Sequence, residues 1–165
     1  MQLPESMRIS NKDAREAFLS GYKHQMDGDL HEAIRYYRIS LDYQPTAEAY
    51  TFLGWAYSQQ DRLDEAIDQC MKAIEADPDF GNPYNDIGAY LLQKGKGKMA
   101  VEWFKKALDA PRYESYCFPH FNLGRVYRMR GHFREARDHF RKALEEQPEF
   151  EDAEDALQQV MSRWN

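Results

Sequence analysis

The residues of this chain best suited to metal or nucleophilic chemistry are five histidines and two cysteines, and their spacing argues against both. His132 and His139 flank Glu135, but His132 precedes the helix that carries the other two, and the interval matches no metal motif. His24 and His120 stand where aromatic residues recur, so they read as packing variants. His31, His132 and His139 fall in a turn or on second helices. Cys117 lies near a helix N-terminus, a place that lowers a thiol pKa. No base lies next to it to serve a nucleophile. Cys70 takes the place of a buried aromatic. Gly95-Lys96-Gly97-Lys98 has glycines and lysines without the spacing or the Ser/Thr of a phosphate loop, so it reads as a turn. These observations argue against an enzyme and imply no cofactor and no metal.

Bulk properties narrow the remaining classes. Aromatic residues make up 14% of 165 residues, enough for a core in one domain. A net charge of −6 favours solubility and speaks against general affinity for nucleic acid. The run from Arg125 to Lys142 holds seven basic residues, but they alternate around two helices, whereas a phosphate-tracking stripe needs one continuous face. Apolar stretches such as Phe52–Tyr57 are too short for membrane insertion. The start, MQLPESMRIS, has no apolar core of a secretory signal, and two cysteines are too few for a disulfide framework. A cytoplasmic location is expected.

The elements that must position any functional side chain follow from a repeat. Gly21, Gly54, Gly88 and Gly124 recur at 33, 34 and 36 residues, and Ala33, Ala66, Ala100 and Ala136 each follow twelve residues later. Pro45, Pro78, Pro111 and Pro148 close the units. Self-similarity at this period marks a solenoid. Within unit two, Tyr50, Leu53, Gly54 and Tyr57 form one helical stripe, and Leu63, Ala66, Ile67, Cys70, Ala73 and Ile74 form another. Small residues at Gly54 and Ala66 let the two helices approach closely. Thr46 is placed to cap the first helix, and Asp77-Pro78 ends the second. Pro83 and Pro119 fit first turns of helices. A two-residue expansion precedes unit four, in Pro111–Ser115. After Pro148, Ala153, Ala156, Leu157, Val160, Met161 and Trp164 make the apolar stripe of a capping helix. The predicted organisation is an N-terminal arm over 1–11 and one domain over 12–165. Its repeats span about 14–46, 47–80, 81–114 and 117–150, with a cap over about 151–164.

These units resemble tetratricopeptide repeats, whose pattern is aromatic-x2-Leu-Gly-x2-Tyr, then Ala-x3-Phe, then Pro. Unit two supplies Tyr50, Leu53, Gly54, Tyr57, Ala66, Cys70 and Pro78; unit four supplies His120, Leu123, Gly124, Tyr127, Ala136, Phe140 and Pro148. Unit three matches with Tyr84, Ile87, Gly88, Leu91, Ala100, Phe104 and Pro111, while unit one is the loosest. Stretches such as TAEAYTFLGWAYS are similar to bacterial members of this superfamily. The resemblance implies an all-α, right-handed α-solenoid of four helix-turn-helix repeats that binds partner proteins.

It also implies where a partner sits. A face of each first helix other than the glycine face carries Arg15, Phe18 and Tyr22 in unit one, and Thr51 and Trp55 in unit two. Unit three gives Asn82 and Asn85, and unit four Phe118, Phe121, Arg125 and Arg128. In tetratricopeptide domains these faces line a concave groove that receives peptides. Aromatic rings would supply contact area, and the arginines would favour acidic groups. The alternative is that Phe18, Tyr22 and Trp55 pack between neighbouring first helices or under the arm, and that Arg125 and Arg128 pair with the terminal helix. Some family members grip a chaperone's C-terminal carboxylate with lysines and asparagines; the matching places here, Phe18, Tyr22, Phe52, Asn82 and Asp86, lack the basic residues. The expected partner is a protein or peptide. Self-assembly into a homo-oligomer is the second reading, and pilus or envelope assembly a third.

Overall fold

A computed structural model describes residues 7–164, with only the backbone of Trp164. The part of the expected arm before Met7 lies outside the described residues, as does the side chain of Trp164. Among the described residues nine α-helices follow in chain order: α1 Lys12–Met26, α2 Leu30–Tyr43, α3 Ala47–Gln59, α4 Leu63–Ala76, α5 Asn82–Gln93, α6 Gly97–Asp109, α7 Cys117–Met129, α8 Phe133–Glu146 and α9 Glu151–Met161. A 3-10 turn, Ser162–Trp164, ends the described chain. Helices pair as α1/α2, α3/α4, α5/α6 and α7/α8, and the pairs stack into an all-helical solenoid.

Each pair closes on its glycine. A methyl group at Gly88 would come within 2.5 Å of the Phe104 ring, one at Gly124 within 2.5 Å of Phe140, and one at Gly21 within 2.8 Å of Tyr37. Those rings are fully buried, as are Ala33, Ala66, Ala100 and Ala136 on the facing helices. Close packing of this kind leaves no volume for an added carbon. A methyl group at Gly54 would come within 2.9 Å of the Ala66 carbonyl and 3.3 Å of the Cys70 sulfur, and Cys70, fully buried, is the core residue its position implied.

Thr46 caps α3 by accepting a hydrogen bond from the Ala49 N–H, and α4 stops at Ala76 before Asp77-Pro78. The turns inside the four pairs each carry one left-handed residue, Gly28, Asp61, Gly95 and Gly131, with φ of 83°, 60°, 74° and 78°. Only the second unit fills that place with a residue bearing a Cβ. In α9, Ala153, Ala156 and Val160 are buried, but Met161 is 38% exposed. The inward stripe thus runs as far as Val160 but leaves out Met161, where the helix gives way to the 3-10 turn.

Successive first helices touch one another, α1 to α3 to α5 to α7 and then to α9, whereas among the described residues the second helices do not meet. The stack therefore curves with α1, α3, α5 and α7 on its inner side. No described helix is long and apolar enough to cross a membrane.

Candidate functional site: the concave face

At the N-terminal end the face is an aromatic cluster centred on Phe52. Its ring lies 5.1 Å from Phe18, 5.8 Å from Tyr22, 6.1 Å from Tyr37 and 5.7 Å from Trp55, mostly edge-on. Phe18 is fully buried and Thr51 nearly so, with the Thr51 hydroxyl donating to the Ala47 carbonyl. Phe18 packs across to Tyr37 and Phe52 on neighbouring helices, Thr51 bonds back to its own helix, and neither of these two predicted groove residues offers a ligand much surface. Tyr22 is half-buried, and Trp55 keeps 37% of its surface exposed. Arg15 donates from Nε to the Ile9 carbonyl at 3.1 Å and from Nη2 to Ser10 at 3.4 Å. It fastens the arm.

Further along, side chains from two helices join in a polar run. Asn122 donates from Nδ2 to Asn85 Oδ1 at 3.2 Å and accepts from Arg125 Nη1 at 3.1 Å. Arg125 is exposed, with its guanidinium 5.8 Å from the Phe121 ring centre. Phe121 is half-buried against Phe150 at 4.9 Å and Phe140 at 5.8 Å; Phe118 stands 43% exposed, edge-on to Phe150. Arg128 reaches α9, donating to Gln159 at 2.8 Å. Its partner on the terminal helix is thus an amide rather than an acid. Arg128, Met129, Phe133, Gln159 and Val160 line a hollow of about 420 Å³ at that end.

The middle of the face holds a charge cluster that sequence reasoning missed. The connection before α7 folds back so that Arg112 lies beside Phe80 in a single parallel bridge, with the Arg112 N–H donating to the Asp79 carbonyl and the Gly81 N–H to the Arg112 carbonyl. A Cβ on Gly81 would meet Tyr113 at 2.4 Å, so only glycine fits. The Arg112 guanidinium crosses the Phe80 ring at 4.2 Å and donates to Asp77 Oδ2 at 2.6 Å and to Glu48 Oε1 at 3.0 Å. Glu48 is 1% exposed. A carboxylate so deeply buried is tolerated only when paired and hydrogen-bonded. Its second donor is the backbone N–H of Arg8, at 2.9 Å. The two-residue expansion at Pro111–Ser115 was the one sequence signal of this strap; the acids it meets lie 35 and 64 residues away.

The arm itself runs in extended alternation. Met7 is half-buried, Arg8 exposed, Ile9 buried and Ser10 exposed. Met7 lines a hollow of about 180 Å³ together with Phe52, Phe80, Asn82, Arg112 and Tyr113. Asn82 therefore faces the arm.

Burial shapes the remaining titratable groups. His120 and His139 bring their Nδ1 atoms to 3.1 Å across the α7–α8 seam, and His139 stacks on Tyr127 at 5.4 Å. Loss of solvation, and then the charge of His120, push His139 down to about 4. Burial likewise lowers His120. Among the described residues no three metal-binding side chains gather. Cys117 corrects an expectation: it sits in the first turn of α7, but burial raises its thiol pKa rather than lowering it. Asp86 forms no ion pair among the described residues, and burial pushes its carboxyl up to about 7.

Two family models, both described as tetratricopeptide repeat, match residues 47–80 and 79–148. The small glutamine-rich tetratricopeptide repeat-containing protein 2 of Mycosarcoma maydis is 30% identical over 97 residues, 58% of this chain. Those residues span 28% of that relative's length. Pseudomonas aeruginosa PilF superposes with a TM-score of 0.86 at 18% identity, covering 92% of this chain and 69% of that one. YrrB, described as a tetratricopeptide-repeat protein with an unusual peptide-binding site, superposes at 0.67 and 22% identity, covering 92% and 77%. Those likenesses establish the fold, and the matched repeats establish the lineage: this chain belongs to the tetratricopeptide-repeat superfamily, a family of protein-interaction scaffolds.

Proposed function

We propose that the chain is a non-catalytic scaffold that holds an extended segment of a partner protein along its concave face. The observation that carries this reading is the placing of Trp55 and Phe118, large aromatic side chains left 37% and 43% exposed on first helices, with the Asn85–Asn122–Arg125 run between them. Rigid rings give a peptide apolar area at small entropic cost, and side-chain amides can bond its backbone. Tyr22 and Phe121 extend the apolar surface. Arg125, exposed and committed by one Nη to Asn122, favours a carboxylate on the ligand. The fold likeness to a protein described as having a peptide-binding site supports the same use.

The test is affinity capture from lysate with the wild type and with a Trp55→Ala, Arg125→Ala variant of unchanged helicity. A partner retained by the wild type and lost by the variant supports the reading. Equal capture by both overturns it, and capture of nothing but further copies of the bait favours self-assembly.

A further inference from the structure

The arm shows what kind of segment the middle of the concave face accepts. Its contacts divide into a fixed part and a releasable part. Ile9 is 3% exposed within the core, and its carbonyl is held by Arg15, so it is an anchor. Met7 and Arg8, just before it, are held differently. Met7 packs half-buried against the core and borders the hollow it shares with Phe52 and Phe80, and the Arg8 side chain is 67% exposed, with its guanidinium 3.3 Å from Asp77. A surface pair of that kind contributes under about 1 kcal/mol. The backbone N–H of Arg8 meets Glu48, which is buried and must keep donors whether or not the arm is in place.

We propose that Met7 and Arg8 are an internal ligand: they fill, within the same molecule, a subsite that takes an extended partner segment bearing an apolar residue followed by a basic one. Three complementary features define it. The hollow lined by Phe52, Phe80 and Asn82 takes the apolar side chain, Glu48 takes the backbone N–H of the next residue, and Asp77 takes that residue's cation. A partner segment must displace Met7 and Arg8 to bind, with the chain hinging at Ile9. This subsite selects a charge opposite to that selected by Arg125. The inference rests on the concave face being a peptide-binding surface, but it concerns a different stretch of that face.

The probe is a capped dipeptide, acetyl-Met-Arg-amide, that copies residues 7 and 8 alone, titrated by NMR into the full chain. In the variant Arg8→Glu a carboxylate faces Asp77 and expels the arm without touching the core. Apparent affinity scales with the fraction of chains whose subsite is open, so about a tenfold gain corresponds to an arm that closes it roughly nine-tenths of the time. The peptide is therefore expected to bind Arg8→Glu about tenfold more tightly than the wild type, with shifts at Glu48 and Asn82. Arg8→Ala should act in the same direction but more weakly. A control, acetyl-Met-Glu-amide, should not bind. Equal affinity for wild type and both variants, or binding of the control, overturns the proposal. So does sedimentation showing that the wild type is a dimer and Arg8→Glu a monomer, because the arm would then sit in a second copy. An acidic peptide titrated in parallel reads the Arg125 region; its failure would count against the broader reading and leave this one standing.

Discussion

Two half-buried titratable groups respond to pH in opposite senses. His139 has a lowered pKa, so the folded chain binds its proton less readily than the unfolded chain. The stability it contributes is complete above the ordinary histidine value of about 6.5 and is lost as pH falls toward 4. His139→Phe keeps a ring against Tyr127 and should remove about 2 kcal/mol of that loss, read as the difference between urea midpoints at pH 7.5 and pH 4.5. Asp86 has a raised pKa, so its contribution is greatest below the usual carboxylate range and declines as pH rises through about 7. Asp86→Asn should therefore stabilise the chain at pH 8 by about 2 kcal/mol and give no gain at pH 4. Over the shared window the two slopes oppose each other, so only the single variants reveal them.

At the scale of the helix pair, the seam and the turn make contrasting demands on glycine. Gly88→Ala gains about 1 kcal/mol in helix propensity but drives a methyl into the buried Phe104 ring, and overpacking of that kind costs about 1–3 kcal/mol. A net loss of stability is expected in urea unfolding. Asp61→Gly acts the other way: it relieves a left-handed residue carrying a Cβ, with an expected gain of about 1 kcal/mol. The seams were legible in the sequence because small residues recur in register, Gly21 with Ala33 through Gly124 with Ala136. The Thr46 cap and the stop at Asp77-Pro78 were legible because both are local chemistry. Asp61 was not, since its conformation is set by the turn and not by its own preference. In the candidate site, helical spacing located Trp55, Asn85, Phe118 and Arg125 on one face. It did not separate them from Phe18 and Thr51, because position on a face does not say how deeply a neighbour covers it. The Glu48–Arg112–Asp77 cluster joins residues far apart in sequence and leaves no periodic trace.

At the scale of the whole molecule, the first helices form the inner layer, with a paired charge cluster of Glu48, Asp77 and Arg112 in the middle and a basic far end at Arg125 and Arg128. A stack of repeats whose units touch only their neighbours frays from its ends, each unit opening with its own free energy. The strap through Arg112 alters that behaviour. It ties the connection between units three and four to α3 and to the end of α4, and so closes a loop around the centre of the stack. Amide hydrogen exchange should show α3 to α6 opening as one cooperative block while α1 and α9 exchange earlier. In Arg112→Ala, Glu48 and Asp77 lose their shared cation at a cost of about 3 kcal/mol, and the block should separate into units that exchange at distinct rates. A chain built for independent modules thereby acquires a single indivisible centre.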